Sequence, residues 1–193
     1  MSESLEAAVG RICRRFGNDR TRMMDIVREV QSQFGCVDSA AMNAIARTVG
    51  ATRVEVEGVV SFYAFLSSRP KGRVVIRLCD DVIDEMSGCE RVAAALENEL
   101  GISFGETTDD GRFSLDYAPC IGMCDQGPAA LVNDVVVTNL TGDRAREMIR
   151  TLRETGEPGQ LVERYGDGNN AHDLVQSMVE NNIRRKGDVI FAE

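Results

Sequence analysis

Apolar residues recur at helical spacing through the first third of the chain. Met23, Ile26, Val27, Val30 and Phe34 share one face of a run that starts at Arg22 and closes at Gly35. A second run begins near Ser39, buries Met42, Ile45, Ala46 and Val49, and stops at Gly50. A third opens with Thr52-Arg-Val-Glu55, a capping-box pattern, and presents Val56, Val59, Val60 and Tyr63 as its apolar face. Leu5 to Phe16 is a further candidate helix, and the short connections between these runs predict a helical bundle.

The period changes at the turn-forming Arg69-Pro70-Lys71-Gly72. Val74 to Leu78 reads as a buried strand, Arg91 to Leu100 as a helix, and Phe113 to Tyr117 as an alternating strand. Ala129 to Val132 and Val135 to Val137 predict a hairpin around Asn133-Asp134, a pair that accepts positive backbone dihedrals. Thr141 caps a last helix to about Glu154. The order β-α-β-β-β-α predicts a small sandwich of the thioredoxin kind, so the whole chain reads as α+β. The expected partition is a helical bundle over 1–70, a second domain over 71–155 and a C-terminal extension over 156–193. In that extension a helix from His172 to Ile183 and a strand at Val189-Ile190-Phe191 are expected. Its apolar surface is too small to fold alone, so it must pack on its own domain or on a partner, and a partner-binding role, against a larger subunit or a neighbouring copy, is expected.

With 193 residues the chain has room for one sizeable core, or one core and a small helical module. The 22 basic against 31 acidic residues leave a net charge of -9, which argues against a phosphate backbone as partner. No apolar run reaches membrane-spanning length, and the first residues lack the apolar core of a secretion signal, so a soluble, cytoplasmic protein is expected. Six cysteines in a reducing compartment are more often thiols or metal ligands than disulfides.

Cys120-Ile-Gly-Met-Cys124 is the sharpest chemical signal. Two thiolates on a glycine-containing loop can converge on one metal centre, Gly122 allows a tight turn, and Gly127-Pro128 fixes the exit. Disulfide-exchange enzymes place two residues, not three, between their cysteines. Cys79 ends the first strand, so its thiol emerges at the edge of the same sheet. Three soft ligands so placed suit iron–sulfur chemistry or zinc.

Cys79-Asp-Asp-Val-Ile-Asp84-Glu-Met-Ser-Gly88, then Gly105 to Phe113 and Cys120 to Pro128, resemble the small [2Fe-2S] subunit of NADH dehydrogenases, also found in NAD-linked hydrogenases and formate dehydrogenases. The resemblance extends over roughly residues 5 to 153 and includes Gly58-Val-Val-Ser-Phe-Tyr63. It implies a helical bundle followed by a thioredoxin-like ferredoxin domain. It also implies a [2Fe-2S] cluster and a larger partner subunit that carries FMN, binds NADH and holds a [4Fe-4S] cluster. The terminal partners left open include a hydrogenase, a formate dehydrogenase and subunits of a respiratory NADH dehydrogenase.

One departure matters. The family's first motif has a second cysteine five positions after the first, and here that position is Asp84. Asp84 can complete a site with Cys79, Cys120 and Cys124 through a hard oxygen. Cys89 can instead swing in as fourth ligand if residues 80–88 are reshaped. In the third reading the site is degenerate and holds no cluster.

Cys13 and Cys36 read as ordinary buried or half-buried thiols, and His172, the sole histidine, as a helix-start residue. Asp80, Asp81, Asp84 and Glu85 read as a solvated loop contributing one ligand. No G-x-G-x-x-G or P-loop is present, so NADH and FMN are expected on the partner. The expected function is an electron-transfer subunit of an NADH-linked oxidoreductase, not catalytic alone. The alternative is a structural or regulatory subunit with an empty or zinc-filled site that braces the flavoprotein.

Overall fold

Capping residues and apolar stripes set the helices of the N-terminal part in the computed structural model, which describes residues 4–165. The helix α1 (Leu5–Arg15) starts where the Ser4 hydroxyl accepts the Ala7 N–H. A single 3₁₀ turn (Arg20–Arg22) leads into α2 (Met23–Phe34), which Gly35 ends in a left-handed conformation. Asp38 caps α3 (Ser39–Val49), accepting the Ala41 N–H at 2.8 Å. The predicted capping box opens α4 (Arg53–Phe62): Thr52 Oγ1 accepts the Glu55 N–H at 3.2 Å, and Glu55 Oε2 accepts the Thr52 N–H at 2.7 Å. Val9, Ile12, Ile26, Val27, Val30, Ile45, Val56 and Val60 pack into one core.

Two residues assigned by periodicity to buried faces lie outside it. Phe34 sits on the last turn of α2 and is exposed, and α4 ends before Tyr63, whose backbone is extended. Tyr63 instead packs between the exposed rings of Phe62 and Phe65, at centroid distances of 5.0 and 5.5 Å.

The chain divides into two compact units at Lys71–Gly72. The second is built on β1 (Val74–Cys79), followed by α5 (Val82–Met86), α6 (Cys89–Leu100), β2 (Phe113–Ala118), β3 (Ala130–Val132), β4 (Val135–Val137) and α7 (Gly142–Thr155). The sheet order is β2-β1-β3-β4, with β1 parallel to β2 and antiparallel to β3, and with β3 and β4 forming the expected hairpin. At its turn Asn133 has a φ of 52°. Its side chain also stands in for a strand neighbour, accepting the Val75 N–H at 2.8 Å and donating to Arg73 O at 3.2 Å.

Strand alternation places Val74, Ile76 and Leu78 in a core with Leu115, Leu96, Met148, Ile149 and Leu152. Each such fully buried aliphatic side chain contributes about 1.5–3 kcal/mol through removal from water. The architecture is the α+β one expected, and the short helix α5 occupies the segment read as a solvated loop.

Beyond α7 the chain turns through Pro158–Leu161 into α8 (Val162–Tyr165). Leu161 and Tyr165 join the core of the second unit, and Tyr165 O accepts the Thr138 N–H at 3.3 Å. The opening of the C-terminal extension therefore packs on its own domain. The helix expected at His172 to Ile183 and the strand expected at Val189 to Phe191 lie outside the described residues.

Candidate metal centre

Main-chain bonds fix the loops that carry the candidate ligands. The Cys79 N–H donates to Ala129 O at 2.9 Å, and the next amide, Asp80, donates to Ala118 O at 3.1 Å. Side chains alternate along a strand, so Cys79 leaves β1 in step with Val75 and Arg77, away from the core that takes Ile76 and Leu78. After β2 the chain passes Pro119 to Cys120, turns at Gly122 with a φ of +86°, and enters a 3₁₀ turn at Cys124–Gln126. Positive φ at Gly122 is the conformation that a side chain disfavours, and it folds the two thiols toward each other. A cis Gly127-Pro128 peptide then leads to Ala129 and β3.

The thiols of Cys120 and Cys124 are 3.2 Å apart, the first exposed and the second partly so. Cys79 is buried, 3.9 Å from Pro119 O, with the Asp84 carboxylate among the groups that raise its pKa. Asp84 itself is only 1% exposed, although it sits among Val82, Ile83 and Met86, which are all exposed. Its Oδ1 accepts the Ala129 N–H at 2.9 Å. A Cβ on Gly127 would stand 3.0 Å from that oxygen, so glycine leaves room for the carboxylate. The predicted donors thus form an inner pair, Cys79 with Asp84, and an outer pair, Cys120 with Cys124.

Cys89 is the first residue of α6, buried, with its thiol donating to Cys79 O at 3.1 Å. It reaches the peptide of Cys79 rather than the thiols. Cys13 and Cys36 are buried within the first unit, as expected. His172 lies outside the described residues.

Asp81 joins these donors, although its sequence context reads only as solvated loop. Its Oδ1 caps α5 by accepting the Val82 N–H at 2.9 Å, while Oδ2 lies 3.8 Å from the Cys124 thiol. Donor atoms of Asp81, Cys120 and Cys124 all fall within 4.8 Å of one another. An aspartate directly before a helical turn is an N-cap signature, and reading Val82 to Met86 as helix would have fixed where this carboxylate points.

The surroundings are uniformly negative. The Cys124 thiol is pushed up to about 11, first by its hydrogen bond to Cys120, then by burial and by the charges of Cys120, Asp81 and Asp84. Burial leads the rise at Cys79, followed by Asp84, and burial with Asp84, Cys79, Asp80 and Glu85 lifts Cys89 to about 11. Such a field disfavours free thiolates and favours a bound cation.

A family model for the thioredoxin-like [2Fe-2S] ferredoxins matches residues 9–153. The chain belongs to that family. It is 36% identical over 138 residues to a subunit of the NADH-quinone oxidoreductase of Escherichia coli strain K12, covering 72% of this chain and 83% of that protein. It is 35% identical over 187 residues to the alpha subunit of the NAD-reducing hydrogenase HoxS of Cupriavidus necator, covering 97% of this chain. The chain spans only 31% of that hydrogenase protein's length. A likeness that covers so much of the chain reaches past Gly156, beyond the residues over which the sequence motifs alone suggested a resemblance. The crystal structure of an air-oxidized NAD+-reducing [NiFe]-hydrogenase shares the fold, with a TM-score of 0.60 and 24% identity over 72% of this chain and 24% of that one.

The donor set fits the cluster named by the family. Three thiols and a carboxylate come to one end of the sheet, and the sulfur donors are of the soft type that iron–sulfur centres use.

Proposed function

We propose that the chain is an electron-transfer subunit of a multi-subunit NADH-linked oxidoreductase, holding a [2Fe-2S] cluster through Cys79, Asp84, Cys120 and Cys124. The observation that carries this reading is the arrangement of four donors in two pairs, Cys79 with Asp84 and Cys120 with Cys124, on loops anchored to adjacent strands. When bound, the cluster supplies a one-electron site. The remaining work falls to the chain's own residues.

Cys79 and Asp84 are buried and would keep water from the inner side of the site. Asp84 is pre-oriented because one carboxylate oxygen accepts the Ala129 N–H at 2.9 Å. Oxygen in place of sulfur favours the ferric state, so the potential is lower than for four thiolates. Cys120 is exposed and marks the side on which a partner's redox group can approach.

The partner on this reading is a flavoprotein that carries FMN and oxidises NADH, in a complex of the hydrogenase, formate dehydrogenase or respiratory NADH dehydrogenase type. A cytoplasmic location suits this assembly, and no helix among the described residues is long and apolar enough to cross a membrane.

Anaerobic reconstitution of the chain with iron and sulfide tests the proposal. Two irons and two sulfides per chain with a reduced-state EPR signal are expected, as is loss of the signal in Cys79→Ala, Cys120→Ala and Cys124→Ala. Asp84→Ala should alter the signal and Cys89→Ala should preserve it. Zinc without sulfide in the purified chain, or loss of signal only in Cys89→Ala, would overturn the assignment.

A further inference from the structure

Gln126 closes the 3₁₀ turn that Cys124 opens, and the residue is only 3% exposed. Its main chain is fully engaged: the N–H donates to Met123 O at 2.9 Å, and the carbonyl accepts the Asn139 N–H at 2.8 Å. Its side chain is not. Neither Nε2 nor Oε1 has a hydrogen-bond partner among the described residues. The other polar residues buried there, tyrosine aside, are all bonded: Asp84 accepts the Ala129 N–H, Ser114 meets the Gly72 N–H and the Thr107 hydroxyl, and Thr138 donates to Tyr165 O. A buried amide without a partner loses its hydration and gains nothing in return, whereas methionine or leucine would fill similar space without that cost.

Gln126 stands two residues after the proposed ligand Cys124 and directly before Gly127, the glycine that leaves room for the Asp84 carboxylate. Two residues of a 3₁₀ turn advance only about 4 Å, so the amide is rooted within a side chain's length of that ligand. Resting on the cluster reading above, we propose that Gln126 donates its side-chain N–H to a sulfur of the bound cluster and thereby raises the cluster's potential. Sulfides and thiolates accept hydrogen bonds, so Nε2 is the atom that meets them. The reduced cluster carries one more negative charge than the oxidised one, and a donor favours it. Gln126 therefore acts against Asp84, whose oxygen lowers the potential, and the two residues set it between them.

Potentiometric titration of the reconstituted 193-residue chain, followed by EPR, tests this. Gln126→Met and Gln126→Leu should each assemble the cluster with a lower potential, the ratio of reduced to oxidised cluster at a fixed potential falling about tenfold, which is about 59 mV for one electron. Glutamine labelled with heavy nitrogen in its side chain gives a readout that a merely structural role would not move: pulsed EPR of the reduced cluster should show the labelled nitrogen in wild type and lose it in Gln126→Met. In the metal-free chain, where the amide is unpaired, both variants should unfold at a urea concentration equal to or above that of wild type. An unchanged or raised potential, or no labelled nitrogen in the wild-type spectrum, would overturn the proposal. So would a metal-free chain weakened by both substitutions, which would show the amide already bonded to water. A wild-type chain that assembles no cluster defeats the relay reading and this inference with it, whereas a cluster whose potential ignores Gln126 defeats this inference alone.

Discussion

Asp84 and Ala129 stand 45 residues apart in sequence, and the buried carboxylate of the first accepts the main-chain N–H of the second at 2.9 Å. Because Ala129 O also accepts from the Cys79 amide, the bond ties α5 to the junction of β1 and β3. Asp84→Ala leaves the Ala129 N–H buried without this acceptor, at a cost of about 1–3 kcal/mol. Asp84→Asn keeps an acceptor oxygen and should recover most of that loss. Urea unfolding of the metal-free chain measures both, and a wild-type midpoint for the alanine variant would show that the bond contributes nothing.

Gly127 makes a second prediction about the same contact. A methyl group there would sit 3.0 Å from Asp84 Oδ1, so Gly127→Ala should destabilise the chain by about 1–3 kcal/mol through overpacking. In an Asp84→Ala background the two shortest of these contacts are gone and the Cα at position 84, 3.7 Å away, is at ordinary van der Waals distance, so the cost should shrink. A double-mutant cycle reads the coupling directly, and strict additivity would contradict a shared contact.

Cys89 should make stability fall in alkali. Its folded thiol is raised from 9.0 to about 11, chiefly by burial, so the folded state holds its proton more tightly than the unfolded chain. The contribution is complete below about pH 9, declines as the unfolded thiol ionises, and is gone above about pH 11. Cys89→Ala should make that part of the profile less steep, with the other raised thiols still contributing, while leaving the reconstituted cluster's EPR signal in place. Denaturant midpoints across that pH range provide the check.

Thr52→Ala should remove the bond that the hydroxyl accepts from the Glu55 N–H at 3.2 Å and the one it donates to Glu55 Oε2 at 2.9 Å, while the Thr52 N–H still donates to that carboxylate. A loss of about 1 kcal/mol is expected in thermal or urea unfolding. Thr52→Ser should restore it.

The strands and most helices of this chain are legible in the sequence because their buried faces follow periods of two and 3.6. The segment Val82 to Met86 inverts that rule. Val82, Ile83 and Met86 face out and Asp84 faces in, so hydrophobic patterning marks the wrong residues and α5 goes unseen. What stabilises the inward aspartate is a main-chain donor from a distant loop, which no local window contains. Phe34 and Tyr63 fail for a different reason: each lies at a helix end, where the next turn that would bury it does not form. The cysteine spacing announced where the thiols gather. The second carboxylate beside them, Asp81, depended on the orientation of a five-residue helix.

The bonds of Cys79 to Ala129 and of Asp80 to Ala118 are made by backbone atoms, which every residue type possesses. The side chain at position 79 is therefore presented by a frame that does not sense its identity. Over evolutionary time such a frame can exchange a thiol for a carboxylate, or one metal chemistry for another, one residue at a time and without first refolding.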